Sequence, residues 1–351
     1  MDYNRRFIQL KQLLPTLKVE AILVENPIDL LYLTGLSLSS GQLLISEKDA
    51  CLILDGRYFE KGGEQPLYPV VKKSPEALKE WLKAQRIASL GFDAAQTTFQ
   101  GYQQLQDSIN ASNSFTSLVP LNAPIHHLRR VKDQDEIACL RKAALLNRRG
   151  CRFVIESLQE GITENQLARE LEIFWLKNGG QKLAFDPIIA FKANASQPHY
   201  RAGETPLEKN MQVLIDIGVV VNQYASDMTR VVFFGEPSPL IQEIYTIVEQ
   251  AKACAFALCR PGEKVKNLDM AARKLISDHG YGEQFTHSLG HGIGLETHEP
   301  PTLRSEGPYS EMTLEAGMVI TIEPGIYLPK IGGVRLEDTI LITDTGYEIL
   351  S

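Results

Sequence analysis

Cysteine is scarce in this 351-residue chain: Cys51, Cys139, Cys151, Cys254 and Cys259 form an odd set with no C-x-x-C spacing. Such a set argues against a disulfide framework and against a structural zinc knuckle, and reads as reduced core thiols. Long apolar runs are missing too. No stretch approaches the roughly 20 residues a membrane span requires, so no membrane partner is expected. The amino end, Met1-Asp-Tyr-Asn-Arg-Arg, leads into an amphipathic helix rather than a signal-peptide core, which gives a cytoplasmic expectation. Surplus positive charge is also absent. A net charge of −7 offers no general attraction to phosphate backbones, and nucleic acid is not an expected partner. Short repeats, low-complexity tracts and heptads are lacking, which removes solenoid and filament readings.

What is present suits a globular protein of two domains with a substantial core. Helical spacing runs from Arg5 to Leu17, and Ala21-Ile-Leu-Val, Gln42-Leu-Leu-Ile, Cys51-Leu-Ile-Leu and Ser89-Leu-Gly-Phe read as strands. These make a small α/β domain over 1–124. The pattern loosens between Ser112 and Pro124, and a second domain over 125–351 opens with helical spacing from His126 to about Leu158. Thr163-Glu-Asn-Gln is a capping box for a helix reaching Lys177. Two further helices are expected over Leu240–Cys259 and Val265–His279, and strands fill the remainder.

Acidic residues stand where strands should be apolar. Asp216 interrupts Val213-Leu-Ile-Asp-Ile-Gly-Val-Val-Val, Glu323 ends Met318-Val-Ile-Thr-Ile-Glu, and Glu337 lies inside Gly333-Val-Arg-Leu-Glu-Asp-Thr-Ile-Leu-Ile. A turn near Asn222-Gln223 would fold Asp227 back toward Asp216. Ionised carboxylates buried in this way are normally paired, protonated or coordinated to a cation. His291 sits among Gly290, Gly292 and Gly294, which makes a helical zinc motif improbable despite His287 four residues before it. The same glycines do not lie between a strand and a helix as a phosphate-binding loop requires.

Four carboxylates and one imidazole exceed the needs of one tetrahedral zinc and suit two oxygen-preferring divalent ions. Two such ions roughly 3.5–4 Å apart can hold a hydroxide while polarising a carbonyl, which is amide-hydrolysis chemistry. Arg335 shares a strand face with Glu337 and could orient the cluster. His199, His287 and His298 remain for substrate.

Four segments carry a family resemblance: Asp216-x-Gly218 to Ser226-Asp-Met-Thr-Arg230, Gly290-His-Gly-Ile-Gly-Leu-Glu-x-His-Glu299, Glu323-Pro-Gly325 and Arg335-x-Glu337-Asp338. Together they resemble the metal site of the pita-bread metallopeptidases, in the branch of aminopeptidase P and prolidase. Tyr32-Leu-Thr-Gly35, Asp55-Gly-Arg-Tyr58 and Leu128-Arg-x-x-Lys132 extend the likeness over nearly the whole chain. The resemblance implies a creatinase-like amino-terminal domain and a pita-bread catalytic domain. It implies that Asp216 binds one metal, His291 and Glu323 the other, and that Asp227 and Glu337 bridge them. Glu323 would also shuttle protons, His199 and His298 would be catalytic on the substrate side, and His287 would line the substrate pocket with Arg335. The implied cofactors are two divalent ions per subunit, manganese first, with cobalt or zinc as alternatives. The implied substrates are peptides with proline at the second position, and the implied assembly is a homodimer.

Aminopeptidase P action leads, with prolidase action on dipeptides as the alternative and Arg304 as a candidate cap for a substrate carboxylate. Methionine aminopeptidase and creatinase activities rank lower, as does a non-catalytic pita-bread binding protein. Two departures from the family stand out. Phe191-Lys192-Ala193 replaces a common Ser-Gly turn, and Gln223 replaces a frequent glycine.

Overall fold

The computed structural model describes residues 1–64, 67–110 and 115–351. Ser112, at the start of the loosened stretch, lies outside them. The chain divides into two compact units, Met1–Arg129 and Arg130–Ser351, so the first unit continues past Pro124. A buried ion pair accounts for the extension: Arg129 Nη1 lies 2.9 Å from Asp29 Oδ1, deep in the same unit.

In the first unit six described strands form one mixed sheet in the order Val70–Lys72, Ala50–Leu54, Gln42–Ser46, Ala21–Val24, Ser89–Asp93 and Ser117–Leu121. The inner strands coincide with the four expected from the sequence. Leu44, Ile53, Leu90 and Phe92 carry the core on one face, against Leu78, Trp81 and Leu82 of the helix Ala77–Gln85.

Where the chain passes from the first unit into the second, it differs from the sequence reading. One helix was expected from His126 to Leu158, but the chain forms a short helix, His126–Arg129, and then a long one, Gln134–Glu156. Between them Val131 bridges Met318, and Lys132 N–H donates to the Gly317 carbonyl, which diverts the backbone from helical bonding. Asp133 then restarts the helix with a capping box closed by Glu136. The helix Glu164–Lys177 starts as expected, with Thr163 and Gln166 forming the box.

A three-stranded antiparallel sheet, Met228–Phe234, Met211–Ile217 and Ile188–Phe191, has helices on both sides. Val213, Ile215 and Ile217 belong to the core formed with the helices Gln134–Glu156 and Glu164–Lys177. Leu214 belongs to the core formed with Pro239–Phe256 and Val265–Asp278. Side chains alternate across a strand, so Asp216 shares the Leu214 face. A five-stranded sheet, ordered Glu299–Leu303, Gly290–Gly292, Val319–Ile322, Asp338–Ile342 and Tyr347–Ile349, supplies further site residues.

The acids sit at strand ends and breaks. The run expected through Asp216 stops at Ile217 and resumes at Val219, and Glu323 directly follows Val319–Ile322. The run expected through Arg335 and Glu337 is also two strands. Gly332–Arg335 pairs with Gly325–Leu328, while Asp338–Ile342 joins the five-stranded sheet, leaving Glu337 at the changeover. Arg335 and Glu337 are therefore brought together by a break between sheets and not by one strand face.

Candidate metal centre

Asp216, Asp227, His291, Glu323 and Glu337 line one cavity of about 470 Å³, together with His199, His287, His298 and Arg335. Register explains part of the convergence. Thr229 pairs with Asp216 across the hairpin, which places Asp227 just beyond the paired strand and beside Asp216 in space. The strand Gly290–Gly292 carries His291 close against Val319–Ile322, and only a glycine fits at its start. A Cβ on Gly290 would lie 2.0 Å from the Thr321 carbonyl oxygen.

His291 Nδ1 lies 3.0 Å from the Gly292 carbonyl. A carbonyl oxygen only accepts, so the ring proton is on Nδ1 and Nε2 presents a lone pair. That lone pair faces Asp227 Oδ2 at 3.7 Å and Glu323 Oε1 at 3.4 Å. Burial, and then His298, hold the ring's pKa down at about 3, so it stays neutral in ordinary buffers. Ligand atoms of Asp227, His291 and Glu337 all fall within 4.8 Å of one another.

The protein's own groups do not satisfy this cluster. Burial, and then the Glu337 charge, push Asp227 and Glu323 well above the usual carboxylate range. Burial, and then Asp216, push Glu337 up to about 8. Asp216 Oδ1 and Glu337 Oε1 are buried acceptors with no hydrogen-bond partner. Converging lone pairs, orphaned oxygens and carboxylates driven toward protonation are what a bound cation would resolve. The donor set, four carboxylates and one imidazole, fits hard or borderline divalent ions.

One arginine organises the surroundings. Arg335, 3% exposed, donates from Nη2 to Asp216 Oδ2, from Nη1 to the Tyr327 hydroxyl at 2.7 Å and from Nε to Thr229 Oγ1 at 3.2 Å. Thr229 passes its own proton to Glu337 Oε2 at 2.7 Å. Tyr327 lies 2.8 Å from His287 Nε2, while His287 Nδ1 lies 2.7 Å from the Ser288 carbonyl. Both His287 nitrogens are thus taken, with Nε2 accepting from the tyrosine. Its ring faces, not its nitrogens, are left to line the pocket. Burial, and then the Arg335 charge, keep it neutral, with a pKa of about 4. Asp338, held by Arg230 at 2.6 Å and Lys252 at 2.8 Å, anchors the backbone next to Glu337.

His298 and His199 are exposed at the cavity wall. The His298 ring centroid is 4.2 Å from that of His291. Thr229 and Tyr327 were not singled out from the sequence. A signal for Tyr327 exists: it lies two residues from Gly325 on one strand face, and a Cβ on Gly325 would meet its hydroxyl at 2.6 Å.

Fold and site together define a metal-dependent hydrolase with an α/β amino-terminal domain and a pita-bread catalytic domain. The sequence pattern of Metallopeptidase family M24 matches residues 138–344, and that of the Creatinase/Prolidase N-terminal domain matches residues 6–131. The chain belongs to this metallopeptidase family and is an enzyme whose centre takes divalent metal ions. An Xaa-Pro dipeptidase of Pyrococcus furiosus is 36% identical over 335 residues, which cover 95% of this chain and 93% of that protein. The solved Xaa-Pro dipeptidase from Bacillus anthracis superposes with a TM-score of 0.94 at 33% identity, over 99% of this chain and 97% of that one. An X-Pro aminopeptidase from Thermotoga maritima gives a TM-score of 0.86 at 30% identity, over 96% of each chain.

Proposed function

We propose that the enzyme is an exopeptidase that removes an N-terminal residue preceding proline, using two divalent ions, with manganese as the native pair. The observation that carries the reading is the His291 Nε2 lone pair converging with carboxylate oxygens of Asp227 and Glu323. When bound, the ions supply Lewis-acid polarisation of the scissile carbonyl and activation of a water nucleophile. On the family likeness, Asp216 would hold one ion, His291 and Glu323 would hold the other, and Asp227 and Glu337 would serve both. Arg335 fixes the Asp216 carboxylate directly and the Glu337 carboxylate through Thr229.

Glu323 accepts the proton released by the nucleophile and returns it to the departing proline nitrogen, a role open to a carboxylate at the cavity wall. His298 steadies the carbonyl side of the substrate, and His199 the leaving-group side. His287, with both nitrogens engaged, and Arg335, through Tyr327, shape the wall against which the substrate lies. Location in the cytoplasm and a homodimeric state complete the proposal, on the sequence reading and the family likeness.

Prolidase action on Xaa-Pro dipeptides is the second reading. The names of the Pyrococcus furiosus and Bacillus anthracis relatives favour it. A cavity beyond His287, lined by Arg273 and Arg304, favours longer peptides. The deciding assay offers metal-stripped protein an Xaa-Pro dipeptide and an Xaa-Pro-Xaa tripeptide, with and without manganese, cobalt or zinc. Cleavage of the tripeptide alone supports the main reading, and dipeptide cleavage supports prolidase. Silence on both with every metal would overturn the Xaa-Pro reading in favour of another peptide specificity or a binding role.

A further inference from the structure

Glu164 is the first residue of the helix Glu164–Lys177, where an acid ordinarily faces water, yet it is 0% exposed. All four hydrogen bonds to its carboxylate come from one segment. Oε1 accepts from Phe191 N–H at 2.7 Å and from Asn194 Nδ2 at 2.9 Å. Oε2 accepts from the Tyr200 hydroxyl at 2.8 Å and from Gly203 N–H at 3.1 Å. That segment carries Pro198, His199, Tyr200 and Arg201 along the wall of the metal-centre cavity. Beyond Phe191, the last residue of the strand Ile188–Phe191, it is a 3-10 turn at Lys192–Ser196 followed by irregular chain.

The chemistry selects a carboxylate. Burying an acid is unfavourable unless its oxygens are hydrogen-bonded, and here both oxygens are fully used by neutral donors. The positive end of the helix dipole favours a negative group in the first turn. A glutamine would offer one oxygen to two of the donors and turn its own N–H groups toward the other two.

We infer that Glu164 is a positioning residue that sets His199 against the substrate by pinning the 191–203 segment at four points. The inference rests on the reading of His199 as a substrate-side residue. It does not involve the proposed metal ligands, none of which lies on that segment.

The test uses the full-length, metal-loaded enzyme as wild type, Glu164→Gln, Tyr200→Phe, His199→Ala and the two double variants with His199→Ala. The readouts are kcat and KM on an Xaa-Pro peptide, bound metal by elemental analysis, and thermal melting. Glu164→Gln is expected to lower kcat/KM by roughly ten- to a hundredfold, the scale of an ångström-level misplacement, with metal content unchanged. Tyr200→Phe removes one of the four bonds and is expected to have an effect of about a few fold. In the His199→Ala background either substitution is expected to add less than about twofold, because the two residues act as one unit. Equal losses in both backgrounds, or no loss from Glu164→Gln in the wild type, would overturn the positioning role. If Glu164→Gln does not fold, the Tyr200→Phe pair of measurements decides in the same way. Wild-type kcat/KM for His199→Ala alone would instead overturn the reading of His199, and the inference with it.

Discussion

Nε2 of His291 lies 3.4 Å from Oε1 of Glu323, with the imidazole lone pair turned toward the carboxyl group. Among the four carboxylates Glu323 keeps the most exposed side chain, 16% against 7% for Asp227 and 12% for Asp216. Glu337 is almost fully buried. That exposure supports the proposed role of Glu323 in exchanging a proton with a nucleophile or leaving group. Glu323→Gln preserves size while removing that capacity. Xaa-Pro hydrolysis is expected to fall by about 10²–10⁴-fold, with divalent metal still found by elemental analysis. Near wild-type turnover in that variant would take Glu323 out of proton transfer.

The crowding of acids sets the pH response of metal-stripped protein. Glu337 moves from an ordinary 4.5 to about 8 on folding, and Asp227 and Glu323 move in the same direction. Below the ordinary histidine value of 6.5 the buried, neutral His287, His291 and His298 act with the opposite sign, but above it the folded state binds more protons than the unfolded one, so stability falls as pH rises. The melting temperature of stripped protein is expected to drop between pH 6.5 and pH 8, and manganese is expected to flatten the profile. Metal uptake is expected to release protons in the same window. A stripped protein that gains stability over this range would contradict the sign.

Much of the site was legible because an acid in an apolar strand is a chemical anomaly, and Asp216, Glu323 and Glu337 each made one. Their supports were not. Thr229 in Met228-Thr-Arg-Val-Val reads as an ordinary strand residue, and its bond to Glu337 joins positions far apart in sequence. Glu164 reads as a first-turn acid within a capping box, and nothing local reveals that its carboxylate is buried. The two strands not expected in the first unit, Val70–Lys72 and Ser117–Leu121, are the edges of their sheet. One is only three residues long, and the other contains Pro120, which demotes a run of strand formers and is tolerated at an edge.

The two departures from the family pattern both fall on left-handed backbone. Lys192 has φ +48° and Gln223 has φ +71°. Asn222 and Gln223 join Val219–Val221 to Tyr224–Ala225 with positive φ at both positions, the turn for which Asn-Gly is favoured. Gln223 N–H donates to Gln181 Oε1 at 2.7 Å, a bond that glycine retains. Gln223→Gly and Lys192→Gly are each expected to stabilise the metal-loaded protein by about 0.5–1 kcal/mol, the left-handed penalty less glycine's entropy. Urea midpoints at constant slope measure this. A loss of stability in Lys192→Gly would show that its side chain contributes more than its backbone strain removes.

Arg304 is the candidate for reading substrate length. It lines a cavity of about 460 Å³ that has His287 in common with the metal-centre cavity. The other arginine there is committed: Arg273 grips the fully buried Asp269 at 2.9 and 3.2 Å and donates to the Phe285 and His287 carbonyls. Arg304 makes no ion pair among the described residues and is exposed. A residue after proline would carry the terminal carboxylate about 3.5 Å further along the chain, toward such a cation. Arg304→Gln is expected to raise KM about fivefold for an Xaa-Pro-Xaa tripeptide, the scale of ~1 kcal/mol for an exposed ion pair. The tripeptide amide is expected to be unaffected, as is the Xaa-Pro dipeptide if the wild type cleaves it. An equal rise for the dipeptide would place the proline carboxylate itself on Arg304, the arrangement a prolidase needs. No change with any of the three would remove this cavity from substrate recognition.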